Sequence, residues 1–362
     1  MGGSIGVGII GLGVISTQYL GTLATVPGVR ITAVADLDAA RADAVAAELE
    51  GARAMSPEEL LADPEVDTVL NLTIPAAHAS IALAAIANGK HVFGEKPLAV
   101  TFADGRSIVE AAAAAGVRVG SAPDTVLGTG VQTARQVIDR GDIGRPVSAT
   151  ATWSSPGHEA WHPHPDFYYR DGGGPLFDMG PYYLSSLVQL LGPVVAVSGA
   201  SSRSRDARII ATGPRAGESI PVEVDTHVTG ILHHESGALS TVTMSFDGMP
   251  TTAPPIEVHG VDGSVVVPDP NTFDGEVVVH RRGGEPEAVA PAGGYEQAGR
   301  GIGLVDFVRG PGRASGEVAL HVLEIMTLLT ASAHSGTRET LTTTVSRPEA
   351  VPLTTAEEWR GV

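Results

Sequence analysis

The stretch Gly8-Ile9-Ile10-Gly11-Leu12-Gly13-Val14-Ile15-Ser16 places a Gly-x-Gly-x-x-Ser pattern where an apolar run gives way to a helix-like segment. Each small residue has its own task. Gly11 permits a tight turn, Gly13 lets backbone approach a pyrophosphate, and Ser16 is small enough for helix to pack closely on strand. A helix N-terminus at this point faces phosphates with unpaired N–H groups and a partial positive charge, and Val14 and Ile15 belong to the same phosphate-facing loop. The pattern alone also fits an ordinary glycine-rich turn. What favours a dinucleotide is its company: a strand before, a helix after, and Asp36 at the end of the apolar run Ile31-Thr32-Ala33-Val34-Ala35. A carboxylate there accepts both hydrogen bonds of the adenosine ribose diol and repels a 2′-phosphate. NAD is therefore expected, with NADP as the alternative through Arg41. Asp38 reads as a cap for the next helix, although Asp36 could also serve as a simple turn acid.

Outward from this loop, the first 145 residues alternate apolar runs with helix-like stretches. Strands are expected over residues 4–10, 30–35, 67–72, 91–93 and 117–121, and helices over 17–25, 39–49, 56–61, 77–88, 102–115 and 130–139. Ser56-Pro57-Glu58-Glu59 supplies an N-cap, a first-turn proline and acids at the positive helix end. The rhythm predicts a doubly wound parallel α/β domain of the Rossmann type. After Arg145-Pro146 it changes. Apolar runs at 194–200, 222–233, 238–246, 256–259 and 277–280, separated by Gly, Pro and Asp turns, predict an α+β domain with a large, mainly antiparallel sheet and helices near 178–191 and 318–333. The expected division is a dinucleotide-binding domain, 1–124, and a substrate-binding and oligomerisation domain, 125–362, with allowance for the chain to return to the first domain near its C-terminus.

Composition narrows the function. The 362 residues carry a formal net charge of −18, which disfavours nucleic acid and anionic membranes as partners. Cysteine is absent, so thiolate nucleophiles, disulfides and thiolate zinc sites are excluded. The first apolar run is short, glycine-interrupted and without a basic flank, and no window approaches the roughly 20 consecutive apolar residues of a membrane span. A soluble cytoplasmic protein is expected.

Further motifs follow in order: Thr73-Ile74-Pro75 with His78; the run Ala87-Asn88-Gly89-Lys90-His91-Val92-Phe93-Gly94-Glu95-Lys96-Pro97; and Gly172-Gly173-Gly174-Pro175-Leu176-Phe177-Asp178-Met179-Gly180-Pro181-Tyr182. With the glycine loop, they make the chain resemble the Gfo/Idh/MocA oxidoreductase family along essentially its whole length. The resemblance implies that Lys96 lies beside the nicotinamide and the substrate hydroxyl, that the peptide before Pro97 is often cis, and that Thr73, Pro75, His78 and Glu95 belong to the cofactor site. It implies homodimers or homotetramers formed through an open sheet face. Many relatives carry Asp-x-x-x-His at 178–182; here the fifth residue is Tyr182, as in branches where a tyrosine transfers the proton.

Residue chemistry agrees with these roles. A lysine beside an oxidised nicotinamide should have a depressed pKa, and its ammonium can hydrogen-bond the alkoxide that develops as hydride leaves. Asp178 and Tyr182, four residues apart, share a helix face, and Pro181 is tolerable if that helix begins near Asp178. Tyr183 is the competing inward ring, and a helix N-cap is the simple role for Asp178. Residues 153–170 hold the densest aromatic and imidazole cluster, and His158, Trp161, His162 and His164 suit recognition of sugar faces and hydroxyls. His162-Pro163-His164-x-Asp166 offers potential ligands, but its prolines impose an extended path and no metal is expected. The expected activity is NAD(P)-dependent hydride transfer to or from a secondary alcohol of a sugar, sugar derivative or cyclitol. Its alternatives are NAD-assisted glycoside hydrolysis or elimination through a transient 3-keto sugar, and a non-catalytic dinucleotide sensor.

Overall fold

The computed structural model describes residues 4–249 and 251–361. The helices are α1 (Ser16–Leu23), α2 (Ala39–Glu48), α3 (Pro57–Ala62), α4 (Pro75–Ala87), α5 (Phe102–Ala115), α6 (Thr129–Asp139), α7 (Gly174–Leu191), α8 (Ile302–Arg309), α9 (Gly316–Ser335) and α10 (Ala356–Arg360). The strands are β1 (Ile5–Ile10), β2 (Val29–Ala35), β3 (Arg53–Ala54), β4 (Thr68–Asn71), β5 (His91–Gly94), β6 (Val119–Ser121), β7 (Pro146–Ser154), β8 (Val194–Ser202), β9 (Ala207–Ile209), β10 (Ser219–Pro221), β11 (His227–His234), β12 (Leu239–Ser245), β13 (Ile256–Gly260), β14 (Gly263–Val267), β15 (Val277–Arg281), β16 (Glu287–Val289) and β17 (Glu339–Thr340). They form two compact units, one comprising Met1–Thr129, Gly293–Leu323 and Val351–Val362, the other Gly130–Ala292 and Glu324–Ala350.

The first unit is a parallel sheet in the order β3-β2-β1-β4-β5-β6. Its strands are covered on both faces and are correspondingly apolar: Val7, Ile9, Ala33, Val34, Val69, Leu70 and Phe93 are fully buried. The connecting helices begin where local chemistry satisfies their orphan N–H groups. Ser56 and Glu59 form a capping box on α3, and Thr101 accepts from the Asp104 N–H at the start of α5. This order reverses direction between β1 and β4, which opens a crevice at the carboxyl ends of those strands. The later passages complete the unit. Asp124, just after β6, accepts the N–H groups of Gly301 (2.7 Å) and Gly303 (3.1 Å) where α8 begins, and Trp359 of α10 donates to the Glu296 carbonyl.

The second unit is a nine-stranded sheet in the order β16-β15-β14-β13-β7-β12-β11-β8-β17. Neighbours run antiparallel except β7 and β12, which are parallel. One face carries alternating buried residues such as Ala149, Ala151, Val228, Leu232, Val242 and Met244, and α7 packs on β7, β11 and β12. Gly199 has a packing reason: a Cβ there would lie 2.3 Å from the Leu329 carbonyl oxygen of α9. The opposite face presents Thr150, Thr229, Thr241 and Thr243 with exposed Ile231 and Leu239. α9 is long and apolar enough to cross a membrane by composition alone, yet it carries buried Glu324, whose carboxylate takes the N–H and hydroxyl groups of Thr342 and Thr343.

Three expectations change. The run at 222–233 is shortened: the main-sheet strand starts only at His227, and residues just ahead of the run form β10, which pairs with β9 in a separate two-stranded ribbon. Asp225 lies in the part left out of the strand, its carboxylate bound to Ser201 Oγ and His334 Nε2. Helix α7 begins at Gly174, not near Asp178, because Pro175 suits a first helical turn. Asp178 is consequently no N-cap, and Pro181 lies inside the helix, where it offers no N–H to the Phe177 carbonyl.

His234 on β11 yields a pH prediction. It is buried, with Nδ1 facing the Gly192 carbonyl (2.9 Å) and Nε2 the Ser240 hydroxyl (2.8 Å), and burial above all pulls its pKa from 6.5 to about 4. Its neutral form is therefore favoured by folding. The stabilisation is complete above pH 6.5 and is lost as pH falls toward 4, on the order of 3 kcal/mol. Thermal melts of His234→Gln between pH 7 and 4 should show a flatter decline than wild type; parallel declines would refute this linkage.

Candidate active site

In the first unit the chain leaves β1 through Gly11 at φ +96°, where a Cβ would sit 2.7 Å from the Leu72 carbonyl oxygen, so the turn requires glycine. At Gly13 a Cβ would meet no protein atom within 4 Å, so the space beside it is open to a ligand. Ser16 is buried and its hydroxyl donates to the Gly13 carbonyl (2.7 Å). The α1 N-cap is Ile15, with no side-chain cap, and Val14 projects into solvent. The helix start is thus left for an anion.

Asp36 closes this loop from β2. Its Oδ2 accepts the Leu12 N–H (2.7 Å), and its Oδ1 accepts the Asp38 N–H (2.9 Å) and Arg41 Nη1 (3.1 Å). Burial works to raise its pKa, but these donors outweigh it and hold the carboxyl below the usual range. Val14, Leu37 and Ile74, which follow the adjacent strands β1, β2 and β4, are exposed by 89%, 101% and 71%, an apolar rim that water alone does not explain.

At the end of β5, Glu95 is buried. Tyr19, on α1, donates its phenol to Glu95 Oε1 (2.7 Å), and Glu95 Oε2 accepts the backbone N–H of Lys96 (3.0 Å). The helix that opens the phosphate loop is thereby tied to the lysine segment. Burial first, then the Glu95 charge, pushes the Tyr19 pKa well above 10, so this phenol is a fixed donor. The Lys96–Pro97 peptide is cis. Thr73 donates to Asn71 Oδ1, and Pro75 occupies the first turn of α4. His78 has both ring nitrogens against carbonyl oxygens, Nδ1 to Pro97 (2.7 Å) and Nε2 to Thr73 (3.0 Å). Burial pushes its pKa down against the pull of those carbonyls. It joins the Thr73 and Lys96–Pro97 loops from beneath, as an interior brace.

In the second unit, α7 carries Asp178 and Tyr182 one turn apart. All of its residues are buried except Phe177 and Asp178. The neighbouring Tyr183 is committed elsewhere, its phenol 3.4 Å from Asp269 Oδ1. Asp178 Oδ2 lies 2.7 Å from His158 Nε2, and His158 Nδ1 lies 3.2 Å from the indole Nε1 of Trp161. Trp153, Trp161, Tyr168 and Phe246 ring the His158 imidazole with centroid distances of 4.2 to 6.0 Å. His162 stands one ring farther out, 5.3 Å from Trp161, with Nδ1 accepting the His164 N–H. His164 is exposed, and no ring contact joins it to the cluster.

Sequence reasoning missed what roots this loop. Arg208, on β9, is 2% exposed and binds Glu159 (2.9 Å), Asp247 and the Pro156 carbonyl, while Tyr169 donates to Glu159. Tyr169, Ile210, Ile220, Val222 and Phe246 form a small core beneath it. The partners are spread over some ninety residues, so no local spacing announces them. Among the described residues, no group of three or more His, Asp or Glu side chains could hold a metal, and Asp166 is paired with Arg215 instead.

Residues 5–122 match the NAD-binding Rossmann domain of the oxidoreductase family GFO/IDH/MocA, and residues 131–266 match the C-terminal domain of the same family. The chain belongs to the GFO/IDH/MocA family. It is an oxidoreductase whose cofactor is NAD. The chain is 29% identical to 1,5-anhydro-D-fructose reductase of Ensifer adhaerens over 80% of its own length and 85% of that protein. It is 36% identical to inositol 2-dehydrogenase of Salmonella paratyphi B, over 39% of this chain and 43% of that one. An NAD-binding oxidoreductase structure from Klebsiella pneumoniae superposes with a TM-score of 0.80 at 27% identity, covering 93% of this chain and 98% of that one. For this family member the glycine loop, uncapped α1, Asp36 carboxylate and apolar rim all fit a dinucleotide.

Proposed function

We propose that the chain is an NAD-dependent dehydrogenase acting on a secondary alcohol of a sugar, sugar derivative or cyclitol. The observation that carries this reading is Lys96, delivered at the carboxyl edge of an NAD-binding sheet by a backbone fixed through Glu95 and Tyr19. The relatives whose names specify a substrate act on an anhydrosugar and on inositol, which supports the same substrate class. Bound NAD supplies the hydride acceptor. Lys96 stabilises the developing alkoxide, Tyr182 takes or returns the hydroxyl proton, and Asp178 orients substrate hydroxyls. Trp161 and Phe167, exposed by 59% and 51%, offer faces for the C–H surface of a sugar.

A screen of sugars, cyclitols and diols with NAD and NADP, following absorbance of the reduced nicotinamide, tests the proposal. Stoichiometric NADH from a polyol supports it; release of an aglycone without net NADH, or no turnover with the whole panel, overturns it. Asp36 sets the cofactor preference. Asp36→Ser should raise the NADP-to-NAD ratio of kcat/KM by roughly 10- to 100-fold, since an acceptor of the ribose diol and a repeller of 2′-phosphate disappear together. An unchanged ratio would remove Asp36 from that role. We also place the protein in the cytoplasm, on its lack of cysteine, and infer a homodimer or homotetramer through the Thr-rich sheet face, which sedimentation tests.

A further inference from the structure

His158 sits where a substrate-binding histidine is expected, yet both of its nitrogens are occupied by protein. Nε2 is 2.7 Å from Asp178 Oδ2, and Nδ1 is 3.2 Å from Trp161 Nε1. An indole nitrogen can only donate. Nδ1 must then be the acceptor, and the proton on the ring belongs to Nε2, where it points at the carboxylate. We propose that His158 is a positioning residue: its Nε2–H orients the Asp178 carboxylate, and the Trp161 indole fixes the tautomer that allows it.

The surroundings hold this chain of donors in place. The His158 side chain is 8% exposed, its backbone N–H donates to the Tyr169 phenol oxygen (3.2 Å), and Tyr168 and Phe246 pack against the ring at 4.2 and 4.7 Å between centroids. Tyr169 is anchored in turn by Glu159 and Arg208. A ring boxed on its faces and bonded at both nitrogens cannot swing to meet a ligand without breaking contacts that are all internal. Asp178 sits on α7, whose helical frame fixes its Cα but leaves its χ angles to be set by partners. The bond from His158 selects one orientation, so the carboxylate is pre-aligned before a polyol arrives. Trp161 has two functions: its face is open to solvent while its N–H holds the tautomer.

The inference rests on the dehydrogenase reading for its effect on rate, but its structural core is testable without substrate. In protein labelled with 15N-histidine, long-range 1H–15N correlation identifies His158 as the ring lost in His158→Gln. The expected spectrum has a protonated Nε2 and an unprotonated Nδ1, and Trp161→Phe should mix the tautomers. A protonated Nδ1 in the wild type, or a spectrum unmoved by Trp161→Phe, overturns the proposal whatever the enzyme's substrate. For kinetics, His158→Phe should lower kcat/KM for the best polyol by about 10- to 100-fold, the scale of a hydrogen bond to a charged acceptor, with NADH affinity unchanged. His158→Gln, whose amide N–H reaches the Nε2 position, should recover most of that loss. Equal loss in the Phe and Gln variants would also overturn it, because a merely space-filling role does not distinguish a donor at that point.

Discussion

Lys96→Met is expected to lower kcat by about 10³-fold while the dissociation constant for NADH stays within a few-fold of wild type. The asymmetry follows from where the residue sits. In the proposed site the dinucleotide is held by the loop Gly11–Ser16, the α1 start and Asp36, which are tied to one another through the Leu12–Asp36 and Ser16–Gly13 bonds. Methionine retains the length and apolar stem of lysine and removes only the charge and its donors. The cation matters when negative charge develops on the substrate oxygen, so its loss falls on kcat rather than on cofactor affinity. Equilibrium titration of NADH fluorescence alongside steady-state rates separates the two. Full turnover in the variant would remove Lys96 from the chemistry, and loss of NADH binding would mean that the Glu95–Lys96 segment serves the cofactor instead.

Tyr182→Phe should follow with a loss of about 10²- to 10³-fold, and with a distinctive pH signature. A phenol has an ordinary pKa of about 10. It donates readily for carbonyl reduction near neutrality and serves as a base for alcohol oxidation only after deprotonation. The wild-type rate of oxidation should therefore climb with pH until the phenol is ionised, and in the Phe variant that rise should vanish. Tyr183→Phe is the control, because its phenol is engaged with Asp269 and should affect folding stability more than the pH profile. A Tyr183→Phe enzyme that loses the rise, with Tyr182→Phe retaining it, would exchange the two roles.

The Rossmann half was legible because parallel strands covered on both faces must be apolar nearly throughout, and because its helices carry their caps in sequence: Ser56 with Glu59, Thr101, Gly116. That Asp36 and Ser16 lie at the glycine turn could be read from spacing, since the turn is local to one βαβ unit. The second unit was harder. Gly173-Gly174-Pro175 looks like a loop, but its proline begins α7, which moves Asp178 from a helix cap into the second turn. β14, five residues of Gly-Ser-Val-Val-Val, was not singled out, and the ribbon β9–β10, two strands of three residues each, is too short to show a periodicity. The Arg208–Glu159–Asp247 cluster and the His158–Trp161 bond were invisible for a different reason. A buried charge and a tautomer are decided by partners that only the folded chain brings together, and no periodicity encodes them.

The first unit is discontinuous along the chain, and this bears on biosynthesis. Asp124 takes its partners from Gly301 and Gly303, Gly120 bridges Ser315, and Glu296 receives Trp359. A ribosome that has released only the first 129 residues has exposed six strands whose last edge and buried aspartate still lack their complements. Most of those arrive only after eight of the nine strands of the second sheet have been made, and Trp359 comes after the ninth. The order of completion therefore differs from the order of starting: the second unit has all of its chain once Ala350 is made, and the NAD-binding unit, though begun earlier, is finished last by the segment from Val351.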